Sequence, residues 1–155
     1  MWMGALSGGI LGLLHPQQYQ LGRAALLEML YQPDIIGNMD DTKAALAVWA
    51  SPFTAMSLMM NRQTPVHRDV HGRHPWMDLL FTHGPYQECC MELPSLGVRL
   101  LYESGTGVGI CGKVVPHAVS ECKGERACQA YYMRDSVHNK LRIPAGTWRT
   151  ISQPV

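Results

Sequence analysis

Two stretches of this chain place side chains that could hold a metal. The first is Thr64-Pro65-Val66-His67-Arg68-Asp69. An imidazole and a carboxylate two residues apart project to the same side of an extended strand, or of a bend at its end. The second is Val114-Val115-Pro116-His117-Ala118-Val119, whose imidazole lies 48 residues after Asp69. Several strands fit in that interval. Together His67, Asp69 and His117 would make a 2-His-1-carboxylate set, which grips a non-haem Fe(II) on one face and leaves the other open. The three would be metal ligands and the catalytic centre at once.

Arg126 follows His117 by nine residues. A hairpin of that length returns the chain beside the His117 strand and aims a guanidinium into the same pocket. Arginine pairs with carboxylates in a planar, bidentate way. A metal with a fixed guanidinium suits a chelating 2-oxo acid that carries a second carboxylate, namely 2-oxoglutarate. Arg134 is the rival anchor. Arg62, five residues before His67, could reach the co-substrate or a phosphate. Asn61 could read a base edge or form a turn with Arg62. His71, His74 and His83 compete as ligands, and His67 with His71 has the spacing of a helical zinc pair. Gly72 and Pro75 argue against a helix there. These histidines are expected in the loop after the metal strand, where a substrate strand would pass.

Longer segments resemble the TET/JBP nucleobase dioxygenases in their compact fungal form. They are Ser51-Pro52-Phe53-Thr54-Ala55-Met56, Asn61 through Asp69, Trp76-Met77-Asp78-Leu79-Leu80 and Glu92-Leu93-Pro94-Ser95-Leu96-Gly97. Tyr102-Glu103-Ser104-Gly105-Thr106, Gly112 through Val119 and Ala130-Tyr131-Tyr132-Met133-Arg134-Asp135 continue the likeness, which covers about residues 45 to 141. The resemblance implies an Fe(II)- and 2-oxoglutarate-dependent oxygenase that uses O2 to oxidise the methyl group of 5-methylcytosine in double-stranded DNA, to 5-hydroxymethylcytosine or further. It favours Arg126 over Arg134 as the co-substrate anchor. It leaves open N6-methyladenine or thymine as the base, and a catalytically silent cupin-like binding module is the reading from another class. A base inside a duplex is out of reach, so it would have to be flipped. Arg73, Arg134, Asp135 and His138 are further candidates for substrate contact. Nuclear residence is implied by resemblance alone.

Composition bounds these readings. The 155 residues suit a single dioxygenase domain, with 1–50 as helical support, 51–142 as the core and 143–155 as a loosely held tail. Net charge is +1, so no global basic footprint marks a nucleic-acid binder. Basic residues gather only locally, at Arg62, Arg68 and Arg73 and from Lys123 to Arg142. Five cysteines without a Cys-x-x-Cys argue against a zinc ribbon or a disulfide scaffold. The apolar run from Met1 to Leu14 has no basic residue before it and is too short to span a bilayer. It is expected to pack on the body. No membrane partner is expected, and a monomer is.

The positioning elements follow from pattern. Leu21, Ala24, Ala25 and Met29, widened by Leu26 and Leu30, predict a helix from Gln17 to Tyr31. Asp40-Asp41-Thr42 predicts an N-cap for a second helix ending near Val48. From Phe53 onward short apolar runs alternate with turn residues. They predict strands at Phe53–Asn61, Met77–His83, Glu88–Leu93, Val98–Tyr102, Val108–Ile110, Lys113–Val119 and Arg126–Met133, with turns such as Gly84-Pro85 and Lys123-Gly124. The fold class is mostly β with flanking N-terminal helices, around a double-stranded β-helix or jelly-roll core.

Overall fold

A computed structural model describes residues 2–148. The chain forms two compact units, Met56–Tyr131 and Met1–Ala55 with Tyr132–Val155. The first to be built along the chain is helical. It contains α1 (Trp2–Leu14), α2 (Pro16–Tyr31), α3 (Met39–Val48) and, after the strands, α4 (Asp135–Lys140).

Proline at the first turn of α2 suits a position whose N–H needs no partner. His15 caps the helix, its Nδ1 accepting from Gln18 N–H at 3.3 Å. The buried stripe of α2 is Gln18, Gly22, Ala25 and Met29. It keeps Ala25 and Met29 of the expected stripe but replaces Leu21 and Ala24 with Gln18 and Gly22, and Leu30 is 53% exposed. Gly22 explains the shift. A Cβ there would overlap the Pro52 carbonyl oxygen and crowd the Met133 methyl, so the helix approaches the Pro52 backbone along its glycine. A small core of Ala25, Met29 and Leu141 forms beside it, with Ile35, Leu46, Val137 and Ile143 packed around.

The cap of α3 lies two residues before the expected one. Asn38 Oδ1 accepts from Asp40 N–H at 2.9 Å and Asp41 N–H at 3.4 Å. The two aspartates stand in the first turn, where their charge suits the helix dipole. The run from Trp2 to Leu14 is a helix that buries Gly4, Ser7, Gly8 and Leu11. Among the described residues no helix is long and apolar enough to cross a membrane. In the tail, Thr147 N–H and Oγ1 both donate to Gln17 Oε1 at 2.9 Å. The expected loose tail is therefore tied to α2 over its described part; residues 149–155 lie outside the described residues.

The second unit is built from antiparallel sheets. Its strands are β1 (Ala55–Met60), β2 (Thr64–His67), β3 (Asp78–His83), β4 (Tyr86–Gln87), β5 (Cys90–Leu93), β6 (Val98–Leu101), β7 (Gly107–Ile110), β8 (His117–Val119), β9 (Lys123–Gly124) and β10 (Ala127–Tyr132). One four-stranded sheet runs β1-β10-β3-β7, the other β2-β8-β5-β6, and β4 pairs β9 in a short ribbon. Met91, Leu93 and Val119 from one sheet meet Ile110, Leu80 and Val108 from the other, together with Tyr86, Cys89 and Tyr102. This two-sheet sandwich with N-terminal helices is the mostly β, jelly-roll architecture expected from the sequence.

Two local expectations differ from the structure. Lys113–Val119 is strand only from His117, because Cys111 C=O accepts from both Val114 and Val115 N–H at 2.9 Å and winds the preceding residues into a turn. Lys123-Gly124 was expected as a bare turn and is β9, paired with β4 in the register Tyr86↔Gly124 and Gln87↔Lys123.

Candidate active site

The metal-ligand candidates meet because β2 and β8 are antiparallel neighbours. His67 lies directly opposite His117, with a register irregularity between Thr64 and His67. The two rings stand 4.3 Å apart at 52°. Asp69 follows just past the end of β2, where its N–H donates to Gly112 C=O at 3.0 Å. Its Oδ1 is 3.7 Å from His67 Nε2 and its Oδ2 is 3.6 Å from His117 Nε2. All three potential ligand atoms fall within 4.8 Å of one another.

Each ring is oriented from behind. His67 Nδ1 is 2.9 Å from Pro65 O, and His117 Nδ1 is 3.0 Å from Val115 O. A carbonyl only accepts, so each Nδ1 carries the proton and each Nε2 keeps its lone pair for a metal. His117 is buried, whereas the His67 and Asp69 side chains are 37% and 47% exposed. The set is open on one side. Two imidazoles and one carboxylate, the set that converges here among the described residues, fit Fe(II).

Asp78 on β3 adds a second carboxylate. It is buried, and burial first, then the Asp69 charge, pushes its pKa up to about 8. Gly112 lies between them; a Cβ on it would overlap Asp69 Oδ2 and sit 3.2 Å from Asp78 Oδ2.

Arg126, just before β10, is 3% exposed. Its guanidinium lies 5.6 Å from the Tyr102 ring centroid and donates from one nitrogen to Arg62 O at 2.6 Å. Its Nε and other terminal nitrogen are buried with no hydrogen-bond partner among the described residues. No carboxylate of the described residues pairs with it. A buried guanidinium with two unmet donors is what a ligand carboxylate would complete. Tyr86 and Tyr102 wall this region. Tyr86 hydroxyl donates to Tyr102 O at 2.7 Å, and burial holds the Tyr102 phenol above its usual range.

The other predicted site residues divide. Asn61 is not free to read a base. Its backbone is left-handed at φ 49°, its Oδ1 accepts from Arg126 N–H at 2.6 Å, and its Nδ2 donates to Glu125 Oε2 at 2.6 Å. It is a turn residue that clasps Arg126. Arg62 contributes its carbonyl to Arg126, while its side chain is exposed and lies 3.8 Å from Met59 Sδ. Arg73 stacks at 5.0 Å over the buried Trp76 ring. Arg68, between His67 and Asp69, is exposed, as are His71 and His74 in the segment after Asp69, which forms no helix, and none of the three histidines His71, His74 and His83 joins the metal cluster. Arg134, Asp135 and His138 belong to the other unit. Arg134 donates to Tyr132 hydroxyl at 3.2 Å, Asp135 accepts from Asn139 Nδ2 at 3.0 Å, and His138 is fully buried. His138 has no face to offer a base. Gly112, Lys113, Asp78 and Tyr102 carry no individual signal in the sequence. No spacing rule singles them out, and only the resemblance segments contained them.

A jelly-roll whose mouth carries two histidines and an aspartate, with a buried and unpaired arginine in the same unit, defines the class of non-haem iron, 2-oxo-acid-dependent oxygenases. The Tet_JBP family model, described as the oxygenase domain of the 2OGFeDO superfamily, matches residues 3–135. The chain belongs to that family and is a dioxygenase whose cofactors are Fe(II) and 2-oxoglutarate. A search of curated proteins finds no match.

Proposed function

We propose that this dioxygenase oxidises the methyl group of 5-methylcytosine in double-stranded DNA, with His67, Asp69 and His117 holding the iron and Arg126 anchoring the distal carboxylate of 2-oxoglutarate. The observation that carries the assignment of roles is the pairing of an open His-Asp-His cluster with a buried guanidinium that lacks a carboxylate. The DNA substrate is supported by family membership and by the exposed Arg68, between two of the ligands, and His71 and His74 just after them.

Bound together, Fe(II) and 2-oxoglutarate supply the oxidation of a C–H bond by O2, with succinate and CO2 as the other products. The chain's own residues prepare that chemistry. Pro65 and Val115 carbonyls fix both imidazoles with Nε2 outward. Asp69 supplies the one anionic ligand. Arg126 sets the orientation of the co-substrate, and the aromatic walls of Tyr86 and Tyr102 exclude water around the guanidinium, which strengthens a charge-assisted contact. The half-exposed side of the cluster is left for a flipped nucleotide. Arg68 and Arg73 would meet phosphates on either side of it, and nuclear residence belongs to the same reading.

The test is mass spectrometry of nucleosides after incubation with methylated duplex, Fe(II), 2-oxoglutarate and O2. The expected result is 5-hydroxymethylcytosine with matching succinate. Oxidised N6-methyladenine or thymine instead would move the substrate and keep the enzyme. No succinate with any of the three would point to a binding module. Because net charge is +1, duplex affinity must come from a local patch. It should fall with salt with a slope of about −0.9 per phosphate contacted, and Arg68→Ala should reduce the slope by about one.

A further inference from the structure

We propose that the turn Cys111–Val115 is the positioning element of the metal site, with Gly112 and Lys113 setting the Asp69 carboxylate; this rests on the reading of Asp69 as an iron ligand. The turn joins β7 to the approach of β8 and is closed on itself, since Cys111 C=O accepts from Val114 and Val115 N–H, each at 2.9 Å. From this closed frame contacts reach two of the three ligands. Val115 C=O takes the Nδ1–H of His117 at 3.0 Å. Gly112 C=O takes the backbone N–H of Asp69 at 3.0 Å. Lys113 Nζ donates to Val70 C=O at 2.6 Å, holding the residue just past Asp69.

Gly112 does more than accept a hydrogen bond. The Asp69 carboxylate lies against its Cα, so that any Cβ would overlap Oδ2 and come within 3.1 Å of Cγ. Gly112 does not have a positive φ, unlike Gly84, Gly97, Gly105, Gly124 and Gly146, so the requirement is for space and not for an unusual backbone. The opposite side of that space is closed by the buried Asp78. A methyl at Gly112 would meet only the ends of two side chains, Asp69 and Asp78, so it is the Asp69 carboxylate that must turn away from His117. Lys113 acts at one remove. Its ammonium pins the chain on the far side of Asp69, so that the backbone is held both before and after the ligand. Asp69 is 47% exposed, and without these contacts an aspartate on a loop would sample several rotamers. Fixing it in advance removes an ordering cost from metal binding.

The experiment measures binding of Co(II) alone, by visible absorption and calorimetry, to the whole chain and its variants, with the metal-free melting temperature of each. Gly112→Ala should weaken Co(II) binding roughly 10–100-fold, the range that outer-sphere partners command, with a changed Co(II) spectrum. Lys113→Met should weaken it by a smaller factor at an unchanged metal-free melting temperature. Lys113→Arg, which can still donate to Val70 C=O, should restore it. If Gly112→Ala does not fold, the Lys113 pair decides. Loss of Co(II) in Asp69→Ala with native affinity in both Gly112→Ala and Lys113→Met would overturn the positioning role and leave the ligand assignment standing. Native affinity in Asp69→Ala would overturn the ligand assignment, and the inference with it.

Discussion

The metal cluster and the arginine pocket are built by opposite means within one unit. At the cluster, both imidazoles are held from behind by the Pro65 and Val115 carbonyls and the Asp69 backbone by that of Gly112, while two of the three side chains stay half open. At the pocket, the functional group is 3% exposed and incompletely paired. The first is pre-ordered and needs nothing to be stable. The second stores an unmet demand, because two buried N–H groups without acceptors are costly until a carboxylate arrives. On the proposed reading, the open cluster would admit a large substrate and the closed anchor would select a small anionic one.

The largest effect should come from the cluster. His67→Ala or Asp69→Ala should abolish turnover and leave the metal-free melting temperature close to native, since both side chains stand clear of the buried core. Steady-state succinate assays beside thermal melts check this, and a folded Asp69→Ala enzyme with native turnover would break the comparison at its first term.

Next comes the pocket, where stability and function should move apart. Arg126→Met should raise the 2-oxoglutarate requirement by more than about thirtyfold, the lower end of what a truncated buried charge contact costs. The same change should leave the metal-free fold as stable or more stable, because an unpaired buried charge is replaced by apolar volume. A large loss of stability would mean that Arg126 is a structural residue.

A smaller effect is expected at Asn61. Asn61→Ala removes two 2.6 Å hydrogen bonds to the Glu125-Arg126 segment. The 2-oxoglutarate KM should rise about twofold to tenfold, in line with one or two net hydrogen bonds, with kcat little changed. A change in base preference without a change in KM would restore Asn61 as a reader of the base.

The remaining effect is on stability alone, without a predicted change in turnover, and it is read in pH. In the metal-free protein Asp78 has its pKa pushed up to about 8 from 3.8, first by burial and then by Asp69. A raised folded value means stability that is full below the unfolded pKa and is lost as pH rises through about 8. Wild-type melting temperature minus that of Asp78→Asn should therefore fall between about pH 4 and pH 8. A flat difference would show that Asp78 is ionised and solvated in the folded protein.

How much of this was legible beforehand depends on whether a residue acts by type or by contact. His67, Asp69 and His117 announce themselves, because few side chains bind iron and their spacing fits adjacent strands. Arg126 was visible as an arginine one hairpin past His117, with Arg134 as its rival and the family resemblance favouring Arg126. The strand-rich body was visible through its turn residues. What escaped acts through contact alone. Gly112 matters because a carboxylate lies against its Cα, and Asn61 because Arg126 sits opposite it across 65 residues of chain. The buried face of α2 was legible at Ala25 and Met29 but not at Gln18 and Gly22, because the Pro52 carbonyl against Gly22 sets that turn and not the leucine stripe. The helix α4 is six residues long, too short to show a period.

Calorimetric titration of 2-oxoglutarate under argon, with and without Fe(II), into native, Asp69→Ala and Arg126→Met protein tests most directly that one unit holds a metal at the cluster and a 2-oxo acid at the arginine. The account predicts a single saturable site in the native protein that requires Fe(II), is lost in Asp69→Ala, and is weakened more than about thirtyfold in Arg126→Met. Equal affinity in native and Arg126→Met protein, or tight binding that does not depend on Fe(II), would contradict it.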